Sequence, residues 1–248
     1  MKTILITGAT SGIGFETAKA FFQEYRGDVQ VISVSRSKEK IESAKKQLPN
    51  VDYYSGDISN FSEIEKIAKQ IETKYDKIDV LINNAGTIIS GGLESLKVQD
   101  WDFVMQNNLT PYFYVSKVFL PLLKKSSFPS IINISSVSGK MGGTSVGYGV
   151  VKAGVDRFTR IIANELAKYR IRVNTVSPGM IGTGFHIHNG LMNEKQYREF
   201  LKNCEPDYPL GLGQETDIAG IIVFLASEKA KWITGADFAV DGGRLIKV

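Results

Sequence analysis

The sequence predicts an α/β protein: a three-layer fold in which a doubly wound parallel sheet of about seven strands lies between helices. Three observations carry that prediction. Short β-branched apolar runs alternate with longer amphipathic segments along the chain. The apolar runs are near-continuous, as in strands buried on both faces. No linker, repeat or low-complexity tract divides the 248 residues, so a single domain, 1–248, is expected.

Taken in order, residues 3–7 form a strand around Ile4-Leu5-Ile6, and a helix follows over 12–25. Strands at 29–34 and 51–55 flank a helix over 38–48, and a helix over 62–75 leads to a strand at 79–83. A long helical region is expected over 100–123, then a strand at 130–135, a helix over 148–168 and a strand at 172–177. A helix over 216–226 and a last strand at 237–240 close the chain. Strict strand–helix alternation implies parallel pairing, with helices on both faces. The exception is 182–214, a helix-poor stretch punctuated by Gly and Pro that carries Phe185, Leu191, Met192, Tyr197 and Phe200. Long loops in compact domains are usually functional, so this stretch is expected to carry function.

Composition narrows the function classes. The net charge of +4 is small and scattered, which gives no footprint for nucleic acid. The apolar run 218–226 contains Gly220 and falls far short of the ~18 residues of a membrane span. Ile4-Leu5-Ile6 is shorter than the ~7–15 residues of a signal-peptide core. The lone Cys204 cannot form an internal disulfide, and a reducing, cytoplasmic location fits. His186 and His188, with no cysteine or carboxylate motif beside them, make a poor metal site, so none is expected.

The first strand runs into Thr7-Gly8-Ala9-Thr10-Ser11-Gly12-Ile13-Gly14. Gly8 allows a tight strand exit, Gly12 lets a phosphate approach the backbone, and Gly14 lets the helix sit against the sheet. The helix start offers free N–H groups and partial positive charge to a pyrophosphate. Further along, Tyr148 and Lys152 stand four apart and share one helix face. A phenol titrating near ~10 is a poor acid or base at neutral pH, and a nearby ammonium should lower that pKa. The pair suits proton transfer to a carbonyl oxygen. Ser135 and Ser136 end the preceding strand, and in an extended chain only one of them can face the same cleft.

These motifs, in this order, resemble those of the short-chain dehydrogenase/reductase family. The Gly8-x-x-x-Gly12-x-Gly14 turn is joined by Asp57, Asn83-Asn84-Ala85-Gly86, Asn108, Ser135-Ser136-Val137-Ser138-Gly139, Tyr148-x-x-x-Lys152, Ser177-Pro178-Gly179 and Val240-Asp241-Gly242-Gly243. The likeness covers essentially the whole chain and implies a Rossmann-like fold, with residues 182–214 where the family places its substrate lid. It also implies hydride transfer between a nicotinamide cofactor and a small carbonyl or alcohol. Tyr148 would be the acid/base and Lys152 the partner that also holds the nicotinamide ribose. Asn108 would hold a water in a proton relay. The family's local pattern selects Ser136 as the substrate-oxygen donor, whereas its usual spacing back from the tyrosine selects Ser135; Gly139 anchors the choice of Ser136. The cofactor set implied is Gly8, Thr10, Ser11, Gly12, Ile13, Gly14, Ser35, Arg36, Ser37, Asp57, Ile58, Asn84, Ala85, Gly86, Tyr148, Lys152, Pro178, Gly179, Ile181 and Thr183.

The second strand ends in Val34-Ser35-Arg36-Ser37, with no carboxylate there to meet a ribose 2′-hydroxyl. Arg36 suits a 2′-phosphate and the two serines add donors, so NADP(H) is favoured over NAD(H). Apolar residues beyond one face of the helices near Asp100 and Tyr148 (Phe103, Tyr112, Phe113 and Phe119; Val151, Val155, Phe158 and Ile162) point to a homodimer or homotetramer. Two other readings stay open on the same fold: a nucleotide-binding regulator without catalysis, and an isomerase or epimerase that uses the cofactor transiently.

Overall fold

A computed structural model describes residues 1–247. Seven strands form one sheet: β1 (Lys2–Thr7), β2 (Val29–Ser35), β3 (Val51–Ser55), β4 (Val80–Asn83), β5 (Ser130–Ile134), β6 (Arg172–Pro178) and β7 (Asp237–Val240). Their spatial order is β3-β2-β1-β4-β5-β6-β7, and every pairing is parallel. The order reverses beside β1, which pairs β2 on one side and β4 on the other. Open parallel sheets bind ligands at such a reversal, beyond the carboxyl ends of the strands.

The helices are α1 (Gly12–Glu24), α2 (Lys38–Gln47), α3 (Phe61–Glu72), α4 (Val98–Asn108), α5 (Thr110–Leu123), α6 (Val146–Leu166), α7 (Phe185–His188), α8 (Glu194–Cys204) and α9 (Glu215–Ala226). Alternate residues of each strand serve opposite faces. Ile4, Ile6, Ile82 and Ile132 pack under α1 and α9 with Ala18, Phe21, Ile218 and Ile222. Leu5, Leu81 and Ile131 pack on the other face against Ile64 and Ile71 of α3, Phe119 of α5 and Leu166 of α6. Burial on both faces explains why the strands read as continuous apolar runs.

A polar string crosses the second core. Asn83 donates to Asn133 (2.8 Å) and Ser116 (3.2 Å), Asn133 donates to Thr159 (2.8 Å), and Thr159 meets Thr175 (2.8 Å). Asn83 is thus a structural residue at the end of β4.

Two expectations need correction. The helical region 100–123 is two helices that meet at Leu109, and Pro111 sits in the first turn of α5, where its missing N–H costs nothing. The stretch 182–214 is not helix-poor, because it holds α7 and the eleven-residue α8. A capping box starts α8: Asn193 accepts from the Gln196 N–H and Gln196 accepts from the Asn193 N–H, both at 2.9 Å.

Candidate active site

A cleft runs across the carboxyl ends of the strands, with the glycine turn in its middle. Gly8 and Gly12 have φ of +76° and +55°, values that L side chains rarely adopt. A Cβ on Gly14 would lie 2.4 Å from the Gly8 carbonyl oxygen and 2.6 Å from Asn84 Nδ2. That contact lets α1 start directly behind the turn. The helix has no side-chain cap at Ser11, and its start at Gly12 and Ile13 lines the cleft, where helix N–H groups lack intrahelical partners. Thr10, Ser11, Gly12 and Ile13 line a cavity of about 500 Å³ together with Pro178, Gly179, Ile181 and Thr183. Asn84 Nδ2 donates to the Thr7 and Gly8 carbonyls at 2.9 and 3.2 Å, and the Asn84 and Ala85 N–H groups donate to Thr7 Oγ1. Asn84 therefore staples β4 to the turn.

On one side of the turn a smaller recess is lined by Ser35, Arg36, Ser37, Lys40, Asp57, Ile58, Ala85 and Gly86. Arg36 Nη1 donates to Asn107 Oδ1 at 3.1 Å and stands 3.9 Å from Asp57 Oδ2, with 53% of its side chain exposed. The two serines do not offer free donors as expected. Ser35 is buried against Ser33 Oγ at 3.3 Å. Ser37 caps α2 by accepting from the Lys40 N–H at 3.1 Å and donates to Glu39 at 2.7 Å. Lys40 and Asn107, absent from the expected set, stand in that recess; Lys40 lies in the first turn of α2, whose N-cap Ser37 follows Arg36.

On the other side Ser136, Tyr148 and Lys152 meet. Ser136 Oγ accepts from the Ser138 N–H at 3.1 Å, which fixes the turn after β5, and Ser136 lines the same cavity as Tyr148. Ser135 points away and donates to the Lys152 carbonyl at 3.0 Å. Lys152 is 3% exposed; its ammonium donates to the Ile134 carbonyl at 2.8 Å and lies 3.5 Å from Tyr112 Oη. Tyr112 itself donates to that carbonyl at 2.7 Å, so two donors share one strand-end oxygen. Tyr112 had no signal in the sequence, where it reads as one more apolar residue of a helix.

The expected depression of the Tyr148 pKa is reversed. Burial pushes its phenol up to about 12, against the opposing pull of Ser136. Burial also pulls Lys152 down to about 8, against the opposing field of Asp156. The reason is geometric: the Lys152 ammonium stays on the Ile134 carbonyl, 5.6 Å from the Tyr148 ring centre. Asn108 is fully buried; its Oδ1 accepts from the Thr87 N–H at 2.8 Å and its Nδ2 donates to the Val104 carbonyl at 2.9 Å. A Cβ on Gly86 would meet Asn108 Oδ1 at 2.8 Å and Lys152 Nζ at 4.0 Å, so that glycine keeps the two together.

Residues of the stretch 182–214 also line the cavity. Phe185 lies 6.4 Å from the Tyr148 ring, and His186 packs at 4.9 Å on Phe200 and 5.8 Å on Tyr197. Asn189 and Thr87 are hydrogen-bonded across the cleft. Burial lowers the pKa of both His186 and His188. Among the described residues no group of three or more His, Cys, Asp or Glu could hold a metal ion.

A glycine turn at the reversal of a doubly wound parallel sheet, with a Tyr-x-x-x-Lys helix beside it, defines the class: a Rossmann-type fold with Ser136, Tyr148 and Lys152 gathered on one side of the turn. The family profile described as enoyl-(acyl carrier protein) reductase matches residues 8–244. The chain is 38% identical to 3-oxoacyl-(acyl-carrier-protein) reductase FabG of Thermotoga maritima, over 99% of this chain and 98% of that one. It is 35% identical to a 7alpha-hydroxysteroid dehydrogenase of Bacteroides fragilis, over 99% and 95%. A ligand-free aldohexose dehydrogenase of Thermoplasma acidophilum superposes with a TM-score of 0.86 at 29% identity, covering 100% of this chain and 95% of that one. The chain belongs to the short-chain dehydrogenase/reductase family.

Proposed function

We propose that the protein is an NADP(H)-dependent oxidoreductase that reduces a ketone or aldehyde to an alcohol, reversibly. One observation carries this reading: a hydroxyl donor (Ser136), a phenol (Tyr148) and a buried ammonium (Lys152) converge in the same cavity as an uncapped helix start. The residues present fit a nicotinamide dinucleotide. The unsatisfied N–H groups of α1 suit its pyrophosphate, and Arg36 with Lys40 suits a 2′-phosphate. Bound there, the nicotinamide would supply the hydride.

The chain's own residues do the rest. Ser136 Oγ and Tyr148 Oη hold the carbonyl oxygen, donors aimed where negative charge develops. Tyr148 Oη gives the proton in reduction and takes it in oxidation. A phenol raised to about 12 stays protonated at neutral pH, which suits the reduction direction. Lys152 holds the ribose hydroxyls and stabilises the phenolate as it forms. Asn108 positions the groups behind Lys152.

The substrate half of the cavity is lined by Ile88, Val137, Met180, Phe185, Met192 and Phe200, with Ser90, Ser138, Thr144 and Ser145 as small polar groups. Among the described residues that line it there is no carboxylate side chain, and Lys152 is the one Lys or Arg. That lining fits an uncharged, partly apolar carbonyl. The test is consumption of NADPH and of NADH with a panel holding a 3-oxoacyl thioester, keto-steroids, sugars and diketones. Turnover with NADPH is expected; no turnover across the panel would overturn the reading.

A homodimer or homotetramer belongs to the same reading. Phe103 (α4), Phe113 (α5) and Val150 and Ile161 (α6) are exposed at 43 to 52%. Of the residues first expected to face a partner, Tyr112, Phe119, Val151 and Val155 are instead buried inside the chain.

A further inference from the structure

Behind the active site, where α6 lies against β6 and β7, a charged cluster has no part in the mechanism above. Lys140, in the turn after β5, pairs with Asp156 of α6 at 2.8 Å and with Asp237 of β7 at 2.7 Å, and donates to Ser177 of β6 at 2.8 Å. Ser177 donates to Asp237 at 2.7 Å. The three charged side chains are only 25%, 14% and 9% exposed. Two carboxylates share one ammonium, so the cluster carries one uncompensated negative charge.

As a stability device this is a poor construction. One carboxylate would neutralise Lys140, and the second adds repulsion and a desolvation cost. Asp156 Oδ1 is buried without a hydrogen-bond partner. Costs of this kind are concentrated at functional sites. Asp156 stands four residues beyond Lys152, one helical turn along the same face. Lys152 otherwise faces uncharged groups: Tyr112 from α5, the Ile134 carbonyl from β5, Asn108 from α4 and Tyr148 from its own helix. The elements packed on Asp156 bring Lys140, Asp237, Ser177 and the Ser135 hydroxyl.

We propose that Asp156 is a positioning residue for this reaction: with Lys140 and Asp237 it holds a net negative charge behind α6 that keeps the buried Lys152 an ammonium. The proposal rests on the reductase reading for its purpose, but its electrostatics stand on the geometry alone. Without that field, a lysine enclosed by a phenol, a carbonyl and an amide would shed its proton near neutrality. Burial already draws Lys152 down, with Asp156 opposing. Burial and the neighbouring Asp237 push the Asp156 carboxyl up, while Lys140 and Ser135 draw it down, so the second carboxylate tunes the first.

The experiment is a pH titration of the Lys152 ε-carbon, 13C-labelled in all lysines and assigned by its loss in Lys152→Arg. In Asp156→Asn, which keeps shape and removes charge, the midpoint should fall by about one pH unit, the scale of an opposite charge one turn away in a partly screened interior. Asp156→Glu should restore most of it. The alkaline limb of kcat/KM for reduction should move the same way. An unmoved midpoint in folded Asp156→Asn, even with a lower melting temperature, would mean a structural role only and would overturn the proposal. If Asp156→Asn does not fold, Asp237→Asn must give a smaller shift in the same direction, and no shift would overturn the proposal equally. The NMR midpoint needs neither substrate nor cofactor, so a protein inactive on every carbonyl would refute the reductase reading while leaving this result to stand or fall alone.

Discussion

The two ends of the cleft use positive charge in opposite ways. At one end Lys152 is 3% exposed, buried against a strand-end carbonyl and a phenol. At the other, Arg36 is 53% exposed and rests on an amide and a distant carboxylate. The buried cation is expensive and sensitive to every neighbour, which makes it a tool for proton chemistry. The exposed cation presents a planar fork of donors and loses little when a ligand arrives, which suits it to recognition. In the function proposed above, one end changes what a proton costs and the other changes which ligand fits.

The contrast breaks most sharply at the buried end. Tyr148→Phe keeps the ring and removes the proton carrier, so reduction should fall by about 10³-fold or more with circular dichroism unchanged, reading the phenol as both acid and oxyanion donor. Near-wild-type turnover would leave the fold without its assigned acid. Ser136→Ala should cost about 10²–10³-fold in kcat. Ser135→Ala removes a bond to the α6 backbone instead and should chiefly lower the melting temperature, at a cost of about 1 kcal/mol. If the Ser135 variant is the inactive one, the roles of the two serines are exchanged.

The exposed end should respond in specificity rather than rate. Arg36→Asp replaces attraction with repulsion, and the ratio of kcat/KM for NADPH over NADH should fall by about 10²-fold, from the loss of a charge-assisted contact and the gain of a like charge. Lys40→Ala should lower the same ratio by a smaller factor, about 5- to 10-fold, as expected for an exposed point charge. A ratio unchanged in both would remove the 2′-phosphate assignment.

The parts of this architecture legible in the sequence are those where local chemistry leaves few choices. The Gly8–Gly14 turn could be read because a close approach such as that of Gly14 to the Gly8 carbonyl excludes every side chain. Tyr148 and Lys152 could be paired because helix spacing alone puts them on one face. The break at Leu109 was equally local, since Pro111 announces a helix start, but the apolar run across it masks the signal. In α8 the Asn193-x-x-Gln196 box was present, yet glycines nearby made the segment read as loop. Long-range geometry was not legible. The Tyr112 bond to Ile134, the engagement of Ser37 as a helix cap and the direction of the Tyr148 shift depend on what packs where, which no spacing rule contains.

The packing of α1 on α9 has a consequence for how the chain is made. Ala18 and Phe21 share a core with Ile218, Ile222 and Val223, which leave the ribosome some two hundred residues later. Strands β1 to β3 and their helices can associate as they emerge, but that face of α1 keeps its apolar surface uncovered until α9 has emerged. Nascent chains of this protein should therefore lean on a chaperone at that face, because transiently exposed apolar surface invites aggregation. A chain stopped before Glu215 should be insoluble although its glycine turn, Tyr148 and Lys152 are all present.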